Sequence, residues 1–100
     1  MVMKRSRPQE KETAKADARP KCFVLMPFRP DLDEVYTEVI QPTARRAGLF
    51  CSRADDIYGP KSIMADIWRS IRMCSLLIAD LTGRNPNVFY ELGLSHAIQK

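Results

Sequence analysis

Hydrophobic positions along this chain fall into two kinds of pattern, short unbroken runs and longer stretches with a helical period. Cys22-Phe23-Val24-Leu25-Met26 is an unbroken apolar run ended by Pro27, the form of a strand covered on both faces. Leu32, Val35, Tyr36, Val39 and Ile40 then recur at i, i+3, i+4, i+7 and i+8, behind Asp31, Asp33 and Glu34, where a helix N-terminus favours negative charge. Pro42 is expected to kink or locally end this helix; Thr43 to Ala47 continue it, and Gly48 supplies its stop. Leu49 to Arg53 reads as a weaker second strand, followed by Ala54-Asp55-Asp56 and a Gly59-Pro60 turn. A second helix runs from about Ser62 to Cys74, with Ile63, Ile67, Ile71 and Cys74 on one stripe and Trp68 off its centre. Leu76-Leu77-Ile78-Ala79 is the clearest buried strand, and it leaves into the loop Asp80-Leu81-Thr82-Gly83. Asn85 as cap and Pro86 in the first turn open a third helix that reaches the last residue.

Strand and helix alternate three times, which implies parallel pairing and a three-layer α/β sheet. A flavodoxin-like (Rossmann-like) winding puts the strands in the order 2-1-3, with the third at an edge. Leu76, Leu77 and Ile78 are too apolar for a solvent edge, so either a partner chain pairing there, and hence a homo-oligomer, or poor solubility is expected. No strand follows the third helix, so the sequence is expected to be a fragment of a longer protein whose C-terminal strands are missing.

Charge divides the chain in two. Residues 1–21 hold seven Lys or Arg against three acids, which accounts for the whole formal charge of +4 and leaves the rest neutral. Residues 1–20 show no hydrophobic period, so they are expected to form a disordered basic tail ahead of one α/β domain over 21–100. That tail carries no aromatic residue to stack on bases, and the body has no basic stripe, so nucleic acid is not the expected partner. No apolar run approaches the roughly 20 residues that span a bilayer, and no apolar segment follows the basic start, so a cytoplasmic protein without membrane contact is expected. Cys22, Cys51 and Cys74 form no C-x-x-C pair and read as buried, reduced thiols; with His96 as the one histidine, no metal site is expected.

In an open parallel sheet the ligand binds outside the carboxyl ends of the strands. That rule selects Pro27, Phe28 and Arg29 after the first strand, Asp55 and Asp56 after the second, and Asp80 to Asn87, including Gly83, after the third. No glycine-rich phosphate loop is present; Gly59-Pro60-Lys61-Ser62 only echoes one. Glu91 stands out, because Val88, Leu94, Ser95 and Ile98 surround it on the helical wheel and Phe89, Leu92 and His96 fill the adjoining sector. A desolvated carboxylate is costly unless paired, and beside a cleft it marks a functional candidate; the structural alternative is an ion pair with Arg84 or Arg72. Asp66 has a structural alternative in the helix dipole, Asp80 in bracing its own loop, and Asp55 and Asp56 in a solvated turn.

Phe23-Val24-Leu25-Met26-Pro27-Phe28, Ala54-Asp55-Asp56-Ile57, Ile63-Met64-Ala65-Asp66-Ile67 and above all Ala79-Asp80-Leu81-Thr82-Gly83-Arg84-Asn85-Pro86-Asn87-Val88-Phe89-Tyr90-Glu91-Leu92-Gly93 resemble the nucleoside 2-deoxyribosyltransferase-like superfamily and its TIR-like relatives. The resemblance implies a glutamate nucleophile at Glu91 that attacks the anomeric carbon of a nucleoside or nucleotide. It gives Asp66 the proton of the nucleobase, and Asp80 and Asn87 contacts to the sugar. The TIR-like relatives imply instead that Glu91 cleaves nicotinamide from NAD, which is then a substrate and not a cofactor; no cofactor is expected. A non-catalytic nucleotide-binding module is the third expectation.

Overall fold

The computed structural model describes residues 18–54 and 64–100, so Asp55, Asp56, Ile63, the Gly59-Pro60 turn and most of the basic tail lie outside the described residues. Three strands form one parallel sheet: β1 (Lys21–Leu25), β2 (Phe50–Arg53) and β3 (Leu76–Ala79), in the order β2-β1-β3. Cys22 faces Cys51 on one side and Leu76 on the other, and Val24 sits between Arg53 and Ile78. The expected order 2-1-3 is therefore observed, with β1 central. Beyond the ends of the strands, Asp80 N–H donates to the Leu25 carbonyl and Ser75 N–H to that of Lys21, each at 2.8 Å.

Two apolar layers cover the sheet. On one face Cys22, Val24, Met26 and Cys51 pack against Leu32, Tyr36 and Ala44. These last three come from α1 (Pro30–Val35), the π-helical turn Tyr36–Ile40 that continues it, and α2 (Gln41–Arg46). On the other face Phe23, Leu25 and Ala54 pack against Ile67, Ile71 and Cys74 and against Val88, brought by α3 (Met64–Met73) and α4 (Pro86–Ala97). Alternate residues of β1 thus serve opposite layers, as the period of two requires.

Pro42 does not end the helix it was expected to interrupt. Its ring crowds the carbonyl four residues back and it has no N–H to donate, a conflict that a straight α-helix cannot absorb. The π turn immediately upstream widens the helix, Gln41 N–H reaching the Tyr36 carbonyl, and α2 then carries on. Gly48 closes it with φ +83°: Leu49 N–H bonds to the Ala44 carbonyl (2.9 Å) and Gly48 N–H to that of Arg45 (3.0 Å), the Schellman pairing.

Two expectations of burial are corrected. β3 is only half covered, and Leu76 is 46% exposed, because an outer strand has a neighbour on one edge only. α4 buries Val88, Glu91 and Ser95 while Phe89 and Tyr90 are exposed, and it ends at Ala97, not at the last residue. The sequence wheel was apolar over most of its circumference, but one sheet face covers only one side of a helix. The three cysteines are free and buried as expected. No helix among the described residues is long and apolar enough to cross a membrane.

Ile71 is fully buried between α3 and β1, so Ile71→Ala is expected to cost about 2–5 kcal/mol in denaturant unfolding. Gly48→Ala is expected to cost about 1 kcal/mol through φ alone, since a Cβ there meets nothing within 4 Å. A Gly48→Ala loss as large as that of Ile71→Ala would contradict this account of the cap.

Candidate functional site

The segment after β1 leads to α1 on one face of the sheet, and the segment after β3 leads to α4 on the other. Where consecutive connections diverge in this way, a crevice opens between the two strand ends. A cleft of about 240 Å³ lies there, lined by the end of β1 through Met26, Pro27 and Phe28, by Ala54, by Met64 and Ile67 of α3, and by Asn85, Asn87, Val88 and Glu91. That is slightly below the roughly 300 Å³ at which small-molecule sites begin.

The start of α4 is built by local chemistry. Asn85 has an extended backbone, and its side-chain oxygen accepts hydrogen bonds from the N–H groups of Asn87 (2.9 Å) and Val88 (3.2 Å). Pro86 then occupies a first-turn position where its missing N–H costs nothing. One turn further in, Glu91 stacks below Asn87 at i+4, in a buried row with Val88 and Ser95.

Glu91 is 9% exposed and makes no ion pair or hydrogen bond among the described residues. The pairing with Arg84 or Arg72 that would have explained it structurally is not formed. Burial raises its carboxyl above the ordinary glutamate range. It is the one ionisable group among the described residues that line the cleft.

The other sequence-selected residues divide. Pro27, Phe28 and Asn87 line the cleft with Glu91. Asp66 shares the sheet face of Glu91 but is not part of the cleft wall; its carboxylate lies 3.7 Å from Arg69, one turn along α3. Asp80 braces its own loop, accepting from the Thr82 N–H (3.0 Å) and hydroxyl (2.6 Å). Gly83 adopts φ +74°, a conformation that favours glycine, and a methyl placed on it would come within 2.9 Å of Arg29 Nη1, the end of a flexible side chain that could move aside.

Of two arginines beside the site, Arg29 was selected with Pro27 and Phe28 by the strand-end rule, and Arg53 escaped the sequence reading. Arg29 follows the cleft wall and holds Asp31 side-on, Nε to Oδ1 at 3.0 Å and Nη2 to Oδ2 at 2.7 Å. Arg53, at the end of β2, is buried on the other face, its guanidinium 4.2 Å from the Tyr36 ring centre and 3.2 Å from Asp33. A strand-terminal arginine carries no sequence signal of its own. The acids at Asp31 and Asp33, explained there by the helix dipole, were the available hint.

Glu91 has a stability signature. With its folded pKa above its unfolded value near 4.3, the folded chain binds more protons between the two, so the group's stabilising contribution is complete below the unfolded pKa and is lost as pH rises through the folded one. The melting temperature of Glu91→Gln should therefore gain on that of the parent as pH is raised from about 4 to about 8. A gap that does not change with pH would show that Glu91 is solvated. Asp66→Asn should change stability by no more than about 0.5 kcal/mol, the worth of one i,i+3 surface pair.

Comparison of the chain with protein-family models, with curated proteins and with solved structures found no match.

Proposed function

We propose that the chain holds a nucleoside or nucleotide in this cleft and cleaves its N-glycosidic bond, with Glu91 as nucleophile. The observation that carries the reading is Glu91 itself: a residue 9% exposed, without a cationic partner among the described residues, and lining a cleft at the switch point of the sheet. The order 2-1-3 with helices on both faces supports a flavodoxin-like winding, in which that switch point is the ligand site. The resemblance of the Asp80 to Gly93 run to nucleoside 2-deoxyribosyltransferase-like proteins supports the class of bond.

In this reading Glu91, ionised, attacks the anomeric carbon. The bond from that carbon to the base nitrogen breaks, its electron pair leaves with the base, and the sugar is held as an ester on Glu91. Water then attacks the same carbon, gives up a proton, and frees the carboxylate; a second base in place of water makes the reaction a transfer. Apolar surroundings suit the step, because a carboxylate stripped of water stabilises a cationic sugar more strongly than a solvated one. Asn87, one turn above, is placed to hydrogen-bond sugar hydroxyls.

A specific observation supports a second reading. Asp66 is turned to Arg69 and, among the described residues that line the cleft, Glu91 is the one ionisable group. A base that already carries positive charge needs no proton to leave. Nicotinamide leaving NAD meets that condition, so cleavage of NAD is the second reading beside deoxyribosyl transfer.

Incubation with deoxynucleosides and with NAD, followed by chromatography of released base, tests the proposal. Base release is expected to fall on acidification through the raised Glu91 pKa, and Glu91→Gln should fold and bind ligand yet lose at least about 10²-fold in rate. Asp66→Asn should leave nicotinamide release within about twofold of the parent, since a leaving group that needs no proton gains nothing from an acid. Unchanged base release in Glu91→Gln would defeat the proposal.

A further inference from the structure

We propose that Arg29 forms a phosphate-recognising subsite at the mouth of the cleft, so that the ligand is a nucleotide and not a free nucleoside. The inference rests on the reading of the cleft as an N-glycoside site and specifies its substrate class.

Arg29 directly follows Pro27 and Phe28, which line the cleft. Across from it, Gly83 and Arg84 directly precede Asn85, which lines the opposite wall. The guanidinium and Gly83 are close enough that a Cβ at 83 would sit 2.9 Å from Nη1, so the segments leaving β1 and β3 meet at this point. Asp31 grips Nε and Nη2, which fixes the guanidinium plane and puts Nη1 on the side of Gly83. Arg29 remains 47% exposed, so water or an anion has access to it. A planar donor held in one orientation suits phosphate oxygens, which accept charge-assisted hydrogen bonds from arginine better than any sugar hydroxyl does. Arg84 adds a second exposed positive charge beside Gly83, in a left-handed backbone conformation with φ +53°. Arg53 does not compete for the role, because its guanidinium is engaged by Asp33, Tyr36 and Met26 on the opposite sheet face.

Asp31 has opposed effects: it orients Arg29 and it repels a phosphate. This gives the test its discrimination. The full chain carrying Glu91→Gln, which prevents turnover, is titrated calorimetrically with deoxyadenosine, deoxyadenosine 5′-monophosphate and NAD. At least one of the two phosphate-bearing ligands is expected to bind about tenfold or more tightly than deoxyadenosine, the worth of one charge-assisted hydrogen bond. Which one does so tells a monoester from a dinucleotide. Arg29→Gln should abolish that preference and leave deoxyadenosine affinity unchanged, whereas Arg29→Lys should retain part of it. Asp31→Asn should keep the preference or strengthen it.

Equal affinity for nucleoside and nucleotides in the parent overturns the inference. So does an Arg29→Gln variant that weakens all three ligands alike, or Asp31→Asn and Arg29→Gln variants that lose the preference together, since Arg29 would then only brace α1. Base release without any phosphate preference removes the subsite and leaves the N-glycoside reading standing. A phosphate preference without base release removes the catalytic reading and leaves the subsite. Failure of all three ligands to bind overturns both.

Discussion

The site depends on β1 being covered on both faces and paired on both edges. Five residues, Lys21–Leu25, carry alternate side chains into two separate apolar layers, and both neighbouring strands hydrogen-bond to them. Once that strand is central, the chain leaving it and the chain leaving β3 must cross to opposite faces. The crevice between them is a consequence of topology, and any residue that the first turns of α4 turn toward the sheet is aimed at it.

That constraint explains the unusual condition of Glu91. The helix buries a row formed by Val88, Glu91 and Ser95, and a valine and a serine that bonds back to the Leu92 carbonyl at 2.6 Å offer the carboxylate no compensation. An unpaired carboxylate in such a row weakens the folded state, and no basic residue among the described ones relieves it. By contrast, the acids of the first turn of α1 are both satisfied, Asp31 by Arg29 and Asp33 by Arg53. The chain thus pairs the carboxylates that brace its structure and leaves unpaired the one that faces the cleft.

The legible parts of the fold were those set by local chemistry. The apolar run at Cys22, the left-handed stop at Gly48 and the Asn85-Pro86 start of α4 depend on a few adjacent residues, and the structure matches them. Burial was legible only by half: the Leu76 run looked like a core strand, but nothing local tells a strand that it has one neighbour. Glu91 could be singled out because periodicity alone placed it in apolar surroundings. Asp66 could not be placed, since helical spacing gives its angle to Ile67 and not its distance from a cleft formed by other elements. Arg29 was legible as a strand-end residue, though not its approach to Gly83, and Arg53 was invisible, because it acquires meaning only from the Tyr36 ring that the fold brings against it.

The central claim is that Glu91 is a desolvated, unpaired carboxylate in the folded chain, and a carbon-13 NMR titration of its side-chain carboxyl tests it most directly. The account predicts a titration midpoint above the ordinary glutamate value of about 4.3, moving back toward that value when the chain is unfolded in urea. A midpoint at or below the ordinary value in the folded chain would mean that water or a cation satisfies Glu91, and would contradict it.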